Sequence, residues 1–294
     1  MITVLRDAGL SSLVDADSRL ERVAGGFVFT EGPLWLSDGA LLFQDVKAER
    51  THRLAADGTL TTLREQTRGA NGQTFLPDGS VIFCEQNGRR VSKMNPDGTG
   101  VATVIEEFEG KRLNSPNDIV VRSDGTVFFT DPPYGAPPDR PLDFQAVFAL
   151  DRAGTLHKVA DGFEKPNGLA FSPDERTLYL NDTARYQVLA LEIDKEGFTA
   201  VGPARVLATP DPSEKGGPDG MKVDCSGRIY VAVAEGVWVY SPDGTLLGIL
   251  STPKRPANLA WCGAQADTLA LTIVDEVYRV RLNTRGCAPP FQPR

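Results

Sequence analysis

Two carboxylates and four amides recur along this chain in a pattern suited to gripping a metal ion. Glu31, Asn71, Asn117, Asn167, Asp219 and Asn258 each open a short stretch of the same design. Successive openers stand 40, 46, 50, 52 and 39 residues apart. If these residues converge, their oxygens face one another, and buried charge without a partner is costly. A divalent cation resolves the conflict, because hard ions such as Ca²⁺ and Mg²⁺ take carboxylate and amide oxygens. A water-filled channel lined by hydrogen-bonded amides is the alternative.

The elements that must position these residues are legible in the repeat. The copies read EGPLWLSDGALLF, NGQTFLPDGSVIF, NDIVVRSDGTVFF, NGLAFSPDERTLY and DGMKVDCSGRIYV, with a weaker NLAWCGAQADTLA. Seven residues after the opener stands Asp38, Asp78, Asp124, Asp174 or Ser226, followed by Gly39, Gly79, Gly125 or Gly227, with Glu175 the exception. Asp-Gly between two apolar runs signals a hairpin turn. Twelve residues after the opener comes Phe43, Phe83, Phe129 or Tyr179. Each copy is therefore strand, turn, strand, and two looser strands follow it. A period near 45 residues is the size of a four-stranded propeller blade. Unrelated hairpins in a sandwich would not share these offsets.

The expected fold is all-β: one six-bladed β-propeller over residues 1–294, four antiparallel strands per blade. The last copy has room for three strands only. The segment from Leu20 to Ala24 is expected to pair as its outer strand and so close the ring, removing an open sheet edge. The runs Ala136–Asp143 and Pro210–Pro218 read as loops, the first a candidate lid. Innermost strands line the channel of such a ring, so the six openers should meet on its axis.

Composition narrows the function. The net charge of −8 offers no basic surface for nucleic acid. No apolar stretch is long enough to span a membrane, and no signal peptide is evident, so a cytoplasmic location is expected. Cys84, Cys225, Cys262 and Cys287 form no C-x-x-C pair. Four reduced thiols are expected, three of them buried in strands, with a Cys262–Cys287 disulfide as the alternative. Only His52 and His157 are present, which argues against a histidine-rich zinc site and a Ser-His-Asp triad. G-x-S-x-G is absent, and Ser115 has no histidine near it in sequence.

FTEGPLW around Glu31, RLNSPNDIVV and TDPPYG around Asn117, PNGLAFSPD around Asn167 and GPDGMKVD around Asp219 resemble the gluconolactonase, regucalcin and luciferin-regenerating enzyme family. The resemblance runs from about Arg22 to Leu282 and, more distantly, extends to diisopropyl fluorophosphatase. It implies a six-bladed propeller and a metal-dependent lactonase acting on a sugar lactone. It implies Glu31, Asn117, Asn167 and Asp219 as ligands of one divalent ion. Ca²⁺ is the first expectation for an oxygen-only ligand set, with Zn²⁺, Mn²⁺ and Mg²⁺ open. Asp219 would be the general base, with the ion polarising the lactone carbonyl. Asn71, Arg112, Asn114, Asn117, Tyr134 and Asn258 are candidate substrate contacts, and Asp131 shares the same mouth. A phosphotriesterase-like or other lactone hydrolase on the same ion, or a calcium-binding propeller without catalysis, are the alternative functions.

Overall fold

A computed structural model describes residues 2–15, 17–194, 197–211, 216–287 and 289–292. Six antiparallel blades follow one another along the chain; the first five run from innermost to outermost strand, and the sixth takes its outermost strand from the N-terminal end. The inner strands are Thr30–Trp35, Ala70–Phe75, Ile119–Val121, Pro166–Phe171, Met221–Val223 and Asn258–Cys262. Each inner strand packs beside the next, and the sixth packs beside the first, so the ring is closed.

Closure follows the expected route. The strand Glu21–Gly25 pairs antiparallel with Glu276–Arg281 and forms the outer edge of the sixth blade. The two ends of the propeller are thus stitched in one sheet, and the sixth blade gains the fourth strand that its own repeat lacks. A second N-terminal strand, Val4–Leu5, adds a fifth strand to blade five by pairing with Ile249 and Leu250. That addition was not expected from the repeat.

The hairpin turns behave as their sequence dictates. In blade one the N–H of Gly39 donates to Leu36 O at 3.1 Å, and Asp38 Oδ1 accepts from Ala40 N at 3.1 Å. Where blade four lacks the glycine, Glu175 itself takes the left-handed conformation at φ 57. It is held there by its N–H to Ser172 O at 2.8 Å and by its carboxylate, which accepts from Ser123 N at 2.8 Å. The aromatic after each turn is core: Phe43, Phe83 and Phe129 are fully buried and Tyr179 nearly so. The core is accordingly a set of clusters between adjacent blades.

Two expectations are corrected. Only Cys84 and Cys262 are buried in strands; Cys225 is exposed and Cys287 half-buried. Cys287 faces Cys225, not Cys262: the two sulfurs stand 4.0 Å apart, whereas Cys262 donates to Thr268 O. Neither histidine enters the channel wall: His52 packs on Phe27 and Phe43, and His157 stacks on Phe198 and pairs with Asp151. Residues 136–143 form a loop; Pro210–Pro218 includes residues 212–215, which lie outside the described set. No helix among the described residues is long and apolar enough to cross a membrane.

Candidate active site

All six openers are buried, none more than 6% exposed, although they are polar. The backbone places them by close approach. A Cβ at Gly168 would lie 2.3 Å from Asp219 O, and one at Gly220 would lie 2.2 Å from Asn258 Oδ1. Only glycine after the opener lets adjacent inner strands come so near. The N–H groups of Gly72 and Gly168 complete the approach by donating to Asn117 O at 2.9 Å and Asp219 O at 3.1 Å.

Side chains then link opener to opener. Asn167 Nδ2 donates to Asp219 Oδ1 at 2.8 Å, and Asn258 Nδ2 donates to Glu31 Oε2 at 3.0 Å. Asn71 Nδ2 reaches Gln86 Oε1 at 3.4 Å. A buried chain from Thr51 through Gln44 to Gln73 ends on the Gly32 carbonyl and fixes the backbone beside Glu31. Between blades four and five, Asn181 Nδ2 and Thr183 Oγ1 donate to the carbonyls of Asp219 and Pro218, at 2.6 and 2.7 Å.

A second device holds the segments entering the ring. Asp45, Asp131 and Asp182 end the second strands of blades one, three and four, and all are buried. Each accepts two backbone N–H groups from the residues three and two before its opener. The donors are Val28 and Phe29, Asn114 and Ser115, and Glu164 and Lys165, at 2.7 to 3.0 Å. Asp131 is therefore a clamp on the approach to Asn117, not a group facing substrate. Burial pushes its carboxyl up to about 7, against the two N–H donors.

The electrostatics of the ring are those of crowded anions. Burial raises the Glu31 carboxyl well above the usual carboxylate range, and repulsion from Asp219 and Asp118 adds to it. Burial also raises Asp219, offset in part by Arg255 and Asn167. Arg255 Nη2 donates to Asp219 Oδ2 at 2.7 Å, so both carboxylate oxygens of Asp219 have partners. Asp118 is the third acid. It is buried, raised by burial, and its Oδ2 has no hydrogen-bond partner. No group of three His, Cys, Asp or Glu side chains at metal-holding spacing occurs among the described residues; amides supply the other half of this ring.

The remaining expected residues divide into two groups. Tyr134 reaches the ring, its hydroxyl accepting from Asn167 Nδ2 at 3.2 Å and its ring lying under Lys165. The Asn117 side chain belongs to the ring by position. Arg112 instead donates to Gly88 O and pairs with Glu106. Asn114 is fully buried and spends its amide nitrogen on Phe144 O and Asp131 O. Neither touches an opener side chain. The sequence reading missed Asp118 and Arg255. Asp118 carried a signal: it sits where the five other copies have glycine (four) or leucine (one), a carboxylate immediately after an opener. Arg255 carried none, since the position three before each opener holds Val28, Arg68, Asn114, Glu164, Gly216 or Arg255 without pattern.

A closed six-bladed ring with acids and amides on its axis defines a propeller with a polar central site. The family described as the SMP-30/gluconolactonase/LRE-like region matches residues 29–275, and the chain belongs to that family. It is 30% identical to a gluconolactonase from Zymomonas mobilis, over 94% of this chain and 85% of that one. It is 33% identical to the pentonolactonase XacC of Haloferax volcanii, over about half of each chain (53% and 52%). Among solved structures, a gluconolactonase from Xanthomonas campestris superposes with a TM-score of 0.86 at 32% identity, covering 95% of this chain and 94% of that one.

Proposed function

We propose that this protein opens a sugar lactone of the gluconolactone type to its aldonic acid, with Asp219 as general base. The observation that carries the reading is the Asp219 carboxylate itself. It is buried just before the inner strand of blade five, held by Asn167 on one oxygen and Arg255 on the other, and Asn167 also donates to the Tyr134 hydroxyl. The gluconolactonase relatives, similar over nearly the whole chain, supply the substrate class.

The donor set fits a divalent cation. Three mutually repelling buried carboxylates include one oxygen with no partner, at Asp118, and they stand among amide side chains, with Arg255 paired to Asp219 alone. Glu31, Asn117, Asn167 and Asp219 would hold the ion, Ca²⁺ first among hard ions. When bound, it supplies Lewis-acid polarisation of the ester carbonyl.

The rest of the work falls to the chain. Asp219 orients a water and takes its proton as the water oxygen adds to the carbonyl carbon. The carbon–oxygen bond of the lactone ring then breaks, and Asp219 returns the proton to the leaving ring oxygen. Arg255 keeps Asp219 ionised against burial. Asn71 and Asn258 offer hydrogen bonds to sugar hydroxyls, and Tyr134 borders the entrance. Arg112 and Asn114 are engaged elsewhere and have no part in this scheme.

The test is acid release from D-glucono-1,5-lactone, corrected for spontaneous opening, by wild type and Asp219→Asn, each with calcium and with chelator. The proposal requires a fall of about a hundredfold or more in kcat for the variant. Wild-type turnover by Asp219→Asn would remove the base from the scheme.

A further inference from the structure

The face of the propeller remote from the acid–amide ring is closed by the C-terminal segment. After its last blade strand the chain runs beneath blades five and six. Gly286 forms an antiparallel bridge with Asp224 and lies flat on Trp261, where a Cβ would fall within 2.1 Å of the indole. Cys225 N donates to Arg285 O at 2.8 Å, and Cys287 N donates to Val223 O at 3.2 Å. Beyond this bridge Phe291 packs on the clusters of blades one to three, and Gln292 Nε2 donates to Trp35 O at 3.1 Å. Behind the segment lies a cavity of about 200 Å³, lined in part by Leu34, Phe171, Lys222 and Trp261.

Two cysteines flank the point where this segment leaves the bridge. Bridging brings Cys225 and Cys287 onto the same face, two residues apart in register, and their sulfurs stand 4.0 Å apart. A disulfide needs about 2 Å, so the sulfurs must close by about 2 Å, a movement that falls to Cys287 at the end of the bridged stretch. Access separates this pair from the other thiols. Cys225 is exposed and Cys287 half-buried, whereas Cys84 and Cys262 are enclosed, the first donating to Asp118 O of the next blade and the second to Thr268 O of its own.

We propose that Cys225 and Cys287 are a redox modification site, whose disulfide fastens the C-terminal segment over the far end of the channel. The oxidant class is a low-molecular-weight disulfide such as oxidised glutathione. The Cys225 thiolate attacks one of its sulfurs, forming a mixed disulfide and expelling one glutathione thiolate. The Cys287 sulfur then displaces the second glutathione and gives up its proton. Two protein thiols are oxidised and one small disulfide is reduced to two thiols. Cys225 attacks because it is the exposed sulfur; Cys287 resolves because it is the sulfur within reach.

The experiment treats the reduced full-length protein with oxidised glutathione, quenches with acid, and maps the cysteines by alkylation and mass spectrometry. The expected product has two alkylated cysteines, Cys84 and Cys262, and one crosslinked peptide pair joining Cys225 to Cys287. Cys287→Ser should accumulate a stable glutathione adduct on Cys225, and Cys225→Ser should react at least tenfold more slowly. Amide exchange at Phe291 and Gln292, the two residues of this stretch that carry a backbone N–H, should slow at least tenfold on oxidation of the wild type. A persistent adduct on Cys225 in the wild type would overturn the proposal. So would a crosslink to Cys84 or Cys262, an absence of reaction, or unchanged exchange in the segment.

Discussion

Replacing Glu31 with Gln separates the two roles that a buried axial carboxylate could have. Its Oε2 accepts from Gly32 N at 2.9 Å and from Asn258 Nδ2 at 3.0 Å. A glutamine oxygen can accept both, so the hydrogen bonds of the ring survive while the charge is deleted. That charge is unfavourable in the absence of a cation: burial opposes it first, and repulsion from Asp219 and Asp118 follows. In chelator, Glu31→Gln should therefore melt no lower than wild type. The cation response should behave oppositely. At a calcium concentration one hundred times Kd, binding stabilises wild type by about 2.7 kcal/mol. An unfolding entropy of about 2.1 cal/mol/K per residue, over 294 residues, converts this to a rise of about 4 °C. Loss of one buried charged partner costs about 3 kcal/mol, which weakens binding roughly a hundredfold. At the same calcium concentration the variant then gains only about 0.4 kcal/mol, less than about 1 °C. Scanning calorimetry of both proteins, with calcium and with chelator, supplies the four values. A variant that melts several degrees below wild type in chelator, or that keeps the full calcium shift, would refute the reasoning.

Three further predictions follow from the same contacts. Arg255→Met removes the partner of Asp219 Oδ2 and makes that carboxyl harder to ionise; the acid limb of the kcat profile should move to higher pH, with kcat at neutral pH down about tenfold. An unmoved limb would show that Arg255 does not tune Asp219. Because Glu31 and Asp219 are both raised, calcium binding near pH 6 should expel protons, and apparent affinity should climb with pH until both acids are ionised. Titration calorimetry in two buffers of different ionisation heat measures the protons released; a heat independent of buffer would contradict it. Asp131 is raised to about 7 from 3.8, so the folded state holds a proton that the unfolded state has lost. Its contribution therefore falls as pH rises from about 4 to about 7 and is flat above. Relative to Asp131→Asn, wild type should lose about 2 kcal/mol between pH 5 and pH 8 in urea denaturation.

The fold was legible because one pattern occurs six times. Strand, Asp-Gly turn and aromatic at fixed offsets determine a blade, and the spare segment before Glu31 had one unpaired partner left, the last blade. The ring was legible for the same reason, since the openers occupy one register position. What was not legible depends on contacts between distant stretches. Arg255 meets Asp219 across two blades, and Cys287 meets Cys225 because the C-terminal segment turns under blade five. No local spacing encodes either meeting. Asp131 is the instructive case: its place at the channel mouth, at the end of the second strand of blade three, suggested a substrate contact. Asp45 and Asp182, 14 and 15 residues after their openers, are its counterparts and show a shared structural task. That recurrence was in the sequence, and it marks a group repeated for the scaffold.

The distinction between what repeats and what does not also locates the chemistry. Turns, aromatics and clamping aspartates recur because each blade faces the same packing problem. The axial acids do not recur in every blade: Glu31, Asp118 and Asp219 belong to blades one, three and five, with amides between them. Alternation spreads three negative charges as far apart as a six-membered ring allows, yet they still raise one another. The proposed divalent cation would relieve that repulsion, with Arg255 acting on Asp219 and Lys222 on Asp118. Arg255 hydrogen-bonds only Asp219, while Lys222 lowers Asp118 through space, so the balance is lopsided: of the three acids, Asp219 is the one with a guanidinium on its carboxylate. A near-symmetric scaffold thereby distinguishes one carboxylate from two others of the same kind. That asymmetry, more than the presence of the acids, is why Asp219 is the one assigned to carry the proton.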